Sequence, residues 1–143
     1  MSVDYDLVWG DERAEALFGT FRGAGSIVHD GAKYEITAKG PLGRVWTMNN
    51  LGSQVFKAER KGLRSSICIS GEEGYFLLER KHMLGSAFRL AHPDDVVADF
   101  DRPNSINGRS EISVLDVEAD FLTLCFAFWL VTTVRRASTG NLY

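Results

Sequence analysis

Hydrophobic and polar side chains alternate along most of this chain, in short runs that are separated by turn-forming residues. Tyr34, Ile36 and Ala38, for example, alternate with charged and hydroxyl side chains over residues 33–39. An alternation of period two predicts a strand with one buried and one exposed face. Because such runs recur about every 8–12 residues with Gly, Asn or Asp between them, the pattern predicts a sandwich or barrel of antiparallel hairpins.

The predicted strands cover most of the chain as far as residue 117. They fall at residues 3–9, 33–39, 44–49, 53–61, 63–69, 75–82, 86–92, 96–101 and 111–117. Residues 12–18 are interpreted as one or two helical turns, and the glycine-containing segment 18–29 as a further strand. Neither a linker nor a low-complexity segment divides the chain, so residues 1–143 are predicted to form a single domain.

The segment from Phe121 to Val134 contains no charged residue, and Arg135 and Arg136 follow it. As a helix it would span about 21 Å, whereas a membrane-spanning helix must cross about 30 Å. Its threonines are scattered around the helix, so that no polar face is left for solvent, and such a helix belongs in a protein core. A buried helix is therefore favoured over a membrane anchor or a central pair of strands.

One apolar helix after a series of strands favours a single antiparallel β-barrel of about 10–12 strands, which encloses a C-terminal α-helix at about residues 119–136. A closely similar β-sandwich and a helix docked outside the barrel are the alternatives. If the helix is enclosed, Phe126→Asp or Trp129→Asp should unfold the domain, because each substitution buries an unpaired charge.

The composition is that of an average globular protein, with 45% hydrophobic and 24% charged residues. A net charge of −3 argues against a nucleic-acid partner. The first residues have neither the basic start nor the apolar stretch of a signal peptide, which predicts a cytoplasmic protein. In that compartment Cys68 and Cys125, both on apolar runs, are predicted to be buried thiols.

The order of these elements resembles the tubby C-terminal-like superfamily, which includes tubby domains, phospholipid scramblases and LURP-one-related proteins. The residues that carry the resemblance are Tyr34-Glu35-Ile36, Gly40-Pro41-Leu42-Gly43, Asn49–Gln54, Val55-Phe56-Lys57-Ala58 and Ala119–Arg136. The resemblance implies a closed barrel of about twelve strands around a hydrophobic C-terminal helix. It also implies a non-enzymatic module, peripheral to a membrane, that binds anionic phospholipid headgroups through basic side chains.

Basic residues are concentrated in one part of the chain. Residues 57–92 contain seven Lys or Arg and four Glu, whereas the remainder contains nine basic and fifteen acidic residues. We therefore predict a headgroup-binding patch formed by Lys57, Lys61, Arg80 and Lys81. In a regular strand Lys57 and Lys61 share a face, and Arg60 points to the opposite one. The alternative is an ordinary solvated face with mixed charges.

The other polar clusters predict no chemistry. The acidic loop that follows residue 93 fails the EF-hand pattern, because Pro103 falls where a ligand is required. His29, His82 and His92 are dispersed, with no signature of a nucleophile beside them. The sequence predicts no catalytic residue, no metal site and no cofactor. The alternative functions are a small hydrophobic-ligand-binding barrel, a protein-interaction domain of unknown partner and, least favoured, an enzyme.

Overall fold

The computed structural model describes residues 3–19, 24–39, 45–61, 66–72, 74–81, 87–93, 95–101, 111–116 and 118–138. For Val3, Asp4, Lys61, Ala137 and Ser138 it describes the backbone alone. The strands are β1 (Val3–Trp9), β2 (Glu12–Phe18), β3 (Gly25–His29), β4 (Ala32–Lys39), β5 (Val45–Asn50), β6 (Ser53–Lys61), β7 (Ser66–Gly71), β8 (Gly74–Arg80), β9 (Phe88–Ala91), β10 (Val96–Phe100) and β11 (Ile112–Val114), and the helix is α1 (Phe121–Ser138).

The strands form one sheet in which each strand pairs antiparallel with the next along the chain, from β1 to β11. This order confirms the mainly β fold that the alternation predicts, because short turns can join only antiparallel neighbours. At the two edges of the sheet, β1 pairs with β2 alone and β11 with β10 alone among the described residues. The sheet is therefore open, and the predicted closure into a barrel is not shown.

The predicted helical turns at residues 12–18 are wrong, because this segment is strand β2. It pairs with β1 along its whole length, from Trp9 opposite Glu12 to Val3 opposite Phe18. Ala14, Ala16 and Phe18 are buried, whereas the residues between them are more exposed: Glu15 is exposed and Leu17 is partly buried. Alanine and glutamate are good helix formers, but the pairing with β1 outweighs this intrinsic preference, as tertiary context commonly does.

Helix α1 is buried on every side, which confirms the prediction of a core helix. All ten residues from 123 to 132 are buried. Because ten residues make almost three turns, no face of this part of the helix is left for solvent. The described residues contain no helix that is long enough and apolar enough to cross a membrane.

The sheet curves around α1, since strands that are far apart in the sheet contact the same helix. The Phe121 ring lies 6.5 Å from that of Trp9 on β1, and the Phe126 ring lies 5.7 Å from that of Phe56 on β6. On β10 the backbone carbonyl of Phe100 accepts a hydrogen bond from Arg135. These contacts fill the space inside the curve with aromatic and aliphatic side chains.

The helix begins at the end of the sheet that carries the hairpin turn between β1 and β2, and it finishes at the opposite end. At its start, the backbone N–H and the hydroxyl of Thr123 both donate to Asp120 Oδ2, over 3.1 and 3.0 Å. Asp120 is thus the N-cap, a position that favours a short acidic side chain. At its C-terminal end, Arg135 and Arg136 occupy the last turn, where a positive charge interacts favourably with the helix dipole.

Candidate functional site

Charges of opposite sign predominate at the two ends of the sheet. The end where α1 finishes, here called the basic end, carries more basic residues than acidic ones: Lys39, Arg60, Arg80, Lys81, Arg89, Arg135 and Arg136, with Glu59, Glu79, Asp99 and Asp101. The acidic end, where α1 begins, carries more acidic residues than basic ones: Asp11, Glu12, Asp30, Glu72, Asp95, Asp116, Glu118 and Asp120, with Arg13 and Lys33. An uneven charge distribution of this kind attracts an anion to one end and repels it from the other.

At the basic end, arginine side chains lie over aromatic rings of the core. The guanidinium carbon of Arg60 is 5.9 Å from the centre of the Trp46 ring, and that of Arg136 is 4.8 Å from the centre of the Phe18 ring. Trp46 and Phe18 are themselves buried. The N–H groups of a guanidinium lie in the plane of the group, so they are not covered when its face packs on a ring. In this orientation a guanidinium can form bidentate hydrogen bonds with a phosphate or a carboxylate.

Arg80 of β8 and Arg135 of α1 share one ring at this end. Their guanidinium carbons lie 5.2 and 5.9 Å from the centre of the buried Phe88 ring. Arg135 also donates to the backbone oxygens of Phe100 and Asp101, over 3.0 and 2.7 Å. Burial lowers the pKa of Arg135 from its ordinary value, and the charge of Asp101 opposes this effect. The helix and the sheet therefore bring two cations together over one side chain.

Next to the arginines, an ion-pair cluster is centred on Asp99 of β10. Arg89 Nε donates to Asp99 Oδ1 over 2.8 Å, and Lys81 Nζ lies 3.3 Å from Asp99 Oδ2. The hydrogen bond from Arg89 holds the pKa of Asp99 below its ordinary value, and the hydrogen bond from Lys81 adds to this effect, although burial opposes both. Lys81 and Arg89 thus have a structural partner, and their charges are partly neutralised.

A second polar cluster lies at the acidic end, where His29 Nε2 is 3.4 Å from a carboxylate oxygen of Glu12 and 3.7 Å from one of Asp30. The three ligand atoms all lie within 4.8 Å of one another, a spacing that a metal ion can bridge. The side chains of Glu12 and Asp30 are largely exposed, and a protonated His29 forms ordinary ion pairs with them. The sequence had given no sign of this cluster, because residues 12 and 29 meet only through the pairing of β2 with β3.

The four residues predicted for the headgroup patch occupy different environments. Lys57 is exposed on the outer face of β6, between Thr47 and Ser70 of the neighbouring strands. Arg80 belongs to the arginines over the core, and Lys81 pairs with Asp99. The side chain of Lys61 lies outside the described residues. The structure therefore brings Arg80 and Arg135 together over the Phe88 ring and leaves Lys57 apart, on the outer face of β6.

The predicted parity of β6 is confirmed, and it explains why Arg60 was missed. Lys57 is exposed, whereas Arg60 points to the opposite face, over the buried Trp46. The alternation of faces along β6 by itself indicates that the Arg60 side chain points inward. For that reason Arg60 was not included in the predicted surface patch. Only the tertiary structure shows that Arg60 packs over the buried Trp46 ring, at the same end of the sheet as Arg80, Arg135 and Arg136.

Two cavities lie beside the helix. One, of about 320 Å³, lies between the edge strands β1 and β11. The other, of about 600 Å³, lies between the start of α1 and the ends of β6, β7 and β8. Cys125 borders the first cavity, and burial raises the pKa of its thiol to about 12, with smaller contributions from the charges of Asp120 and Glu12. A thiol with so high a pKa is a poor nucleophile at neutral pH.

Comparison with known proteins gives no relative to guide the interpretation: no protein-family model, curated protein or solved structure matches this chain. The geometry and charge of the molecule itself therefore indicate its function.

Proposed function

We propose that this protein is a non-enzymatic binding module whose basic end recognises a phosphorylated anionic group, such as the headgroup of a membrane phospholipid. The observation that carries the proposal is the presence at the basic end of four arginines, Arg60, Arg80, Arg135 and Arg136, each over an aromatic ring. The resemblance to the tubby-like superfamily, a closed barrel and a cytoplasmic location peripheral to a membrane are parts of the same proposal.

The geometry supports this function in two ways. Each guanidinium rests on a ring that the core already holds, so less side-chain freedom is lost when an anion binds. The acidic residues at the opposite end repel an anionic membrane, so that the module approaches it with the basic end first. A basic side chain near an anionic membrane contributes about 1 kcal/mol of binding free energy.

The alternative of a barrel that carries a small hydrophobic ligand finds less support. The aromatic side chains that could line such a cavity are Trp9, Trp46, Phe56, Phe76 and Phe88. Trp46, Phe56 and Phe88 are buried among core residues, whereas Trp9 and Phe76 are partly buried and border the cavities beside the helix. Phe56 stacks on Phe126 of the helix, so the helix occupies the space that a ligand would need. The cavities that do exist lie beside the helix rather than inside a hollow sheet.

Co-sedimentation with vesicles tests the proposal. The vesicles contain phosphatidylcholine alone, or phosphatidylcholine with phosphatidylserine or with phosphatidylinositol bisphosphate. We expect binding to the anionic vesicles only, and weaker binding as the salt concentration rises. Competition by soluble inositol trisphosphate distinguishes recognition of a free phosphorylated headgroup from general attraction to a charged surface.

Two lysines on the same strand provide matched variants. Lys33 and Lys39 are both exposed on β4, at the acidic end and the basic end respectively. Because a charge reversal removes one attraction and adds a repulsion, Lys39→Glu should weaken vesicle binding by roughly tenfold or more, and Lys33→Glu should change it little. Equal effects of the two variants, or no binding to any anionic vesicle, would rule out the proposal.

A double variant tests the arginines themselves. Arg80→Gln combined with Arg136→Gln removes two charges and keeps much of the aliphatic side chain that covers the rings. We expect it to lose vesicle binding while it unfolds cooperatively, as judged by circular dichroism. Undiminished binding would show that these arginines only cover the end of the core.

A further inference from the structure

We propose that the open seam between β1 and β11 is a docking site for an extended basic segment of a partner protein, which pairs with the free edge of β1. The segment carries apolar side chains at alternate positions, with Lys or Arg between them. This site lies between the two edge strands and does not involve the arginines of the basic end, so it is independent of the proposed function.

The outer edge of β1 has backbone groups that can pair with a further strand. Trp9 and Glu12 close the two-residue loop of the β1–β2 hairpin. In such a loop the closing pair is hydrogen-bonded, so Asp6 and Val8 direct their backbone N–H and C=O groups away from β2. On that side no strand pairs with β1 among the described residues. Unpaired edges of this kind are where extended peptides add to a sheet.

Apolar side chains from three elements line the seam, together with Asp6 and Glu111. The cavity of about 320 Å³ is lined by Leu7 and Trp9 of β1, Ile112 and Val114 of β11, and Leu124 and Cys125 of α1. The exposed side chain of Val8, which also borders the cavity, adds apolar surface, with 58% of its area accessible. An added strand that presents an apolar side chain at every second residue covers these apolar side chains.

The charges around the seam select the partner. Asp6 and Glu111 border the cavity, Glu15 lies opposite Asp6 on β2, and all three are exposed. Arg13, opposite Val8, is the basic residue on this stretch of β2. A second copy of this chain would bring its own β1, with Asp6, against the same acidic rim, and like charges across an interface are costly. A basic strand is complementary to the rim, which is why we assign the seam to one.

A labelled peptide tests the assignment by fluorescence anisotropy on the full-length chain. The probe alternates Val with Lys over seven residues, and the matched probe alternates Val with Glu. We expect the lysine probe to bind and the glutamate probe to bind at least about tenfold more weakly. Hydrogen exchange of the complex should show slower exchange at the backbone amides of Asp6 and Val8 than in the free protein.

Charge-reversal variants separate this site from the rest of the surface. Asp6→Lys should weaken binding of the lysine probe by roughly tenfold, whereas Glu35→Lys, an equal change at an exposed position of the internal strand β4, should leave it within about twofold. Lys39→Glu, which impairs vesicle binding under the proposed function, should leave probe binding unchanged. The inference is overturned if neither probe binds, if Asp6→Lys has no effect, if protection appears elsewhere, or if the protein sediments as a dimer paired through β1.

Discussion

The indole nitrogen of Trp129 donates a hydrogen bond to the backbone oxygen of Leu17 over 3.1 Å. It links the middle of α1 to β2, across 112 positions of sequence. The Trp129 ring also stacks on that of Phe18, with centroids 5.2 Å apart and planes 4° from parallel. Space for the indole exists because residue 25 on β3 is glycine: a Cβ there would lie 2.7 Å from the indole nitrogen and 2.3 Å from the Leu17 oxygen.

Gly25→Ala should destabilise the domain by about 3 kcal/mol, because the new methyl group collides with a buried ring and with backbone that cannot move apart freely. Chemical denaturation measures the change. Gly10→Ala is the control: its Cβ meets no atom within 4 Å, and its φ of +61° alone should cost about 1 kcal/mol. Equal unfolding midpoints for the two variants would contradict the proposed close approach.

Phe126→Asp should abolish cooperative folding. The Phe126 side chain is fully buried and stacks on Phe56. An unpaired buried carboxylate costs several kcal/mol, which is comparable with the total stability of about 5–15 kcal/mol for a domain. Circular dichroism and thermal unfolding measure the outcome, with Tyr75→Asp, at an exposed position on β8, as the control. A soluble Phe126→Asp variant with a normal unfolding transition would refute burial of the helix.

Leu51→Asn should stabilise the protein by about 1 kcal/mol. Leu51 and Gly52 form the turn between β5 and β6 with φ values of +51° and +86°. Asparagine tolerates this left-handed conformation better than leucine, and Asn-Gly is the preferred pair for such a hairpin. The Leu51 side chain contributes little in return, since 97% of its area is exposed. The same change at Tyr75, on an ordinary strand, should give no gain in melting temperature.

Asp99→Asn should lower stability at neutral pH and weaken the dependence of stability on acid. Arg89 and Lys81 hold the folded pKa of Asp99 below its value of about 4 in the unfolded chain. Its stabilising contribution is therefore complete above about pH 5 and is lost as the pH falls through the folded pKa. We expect a loss of about 1 kcal/mol at pH 7, after allowance for solvent screening, and a smaller difference from wild type at pH 2. Urea denaturation at several pH values measures the free energy of unfolding of wild type and variant. Glu35→Gln, at an exposed position, is the control, and parallel pH profiles for wild type and Asp99→Asn would contradict the assignment.

Cys68 should react with a thiol reagent before Cys125 does. Cys125 is buried, and its pKa of about 12 leaves almost no thiolate at pH 8, whereas Cys68 is partly exposed. Mass spectrometry after brief labelling of the folded protein should find the label on Cys68, and both thiols should react in denaturant. The variant Cys68→Ser provides the control for slow labelling at Cys125. Rapid modification of Cys125 in the folded variant would show that the seam opens further than the structure indicates.

The local alternation of hydrophobic and polar residues predicted most of the strands. The alternation in residues 3–9 and 33–39 placed β1 and β4 correctly, because each strand buries every second side chain against the same core. It failed at residues 12–18, where the inward-facing side chains include two alanines, which bury little area and are strong helix formers. What decides that segment is its pairing with β1, a contact that a propensity argument does not contain.

The sequence by itself determined that the domain is mainly β and that Phe121–Val134 lies in the core, since an uncharged segment too short for a bilayer can hide its side chains only there. It also determined that Lys57 and Arg60 lie on opposite faces of β6. Only the tertiary structure decided that Arg80 and Arg135 share the Phe88 ring, and that β1 and β11 line one cavity beside the helix. The physical reason is that periodicity fixes the face of a strand, whereas the curvature of the sheet and the direction of the helix inside it fix which faces come together.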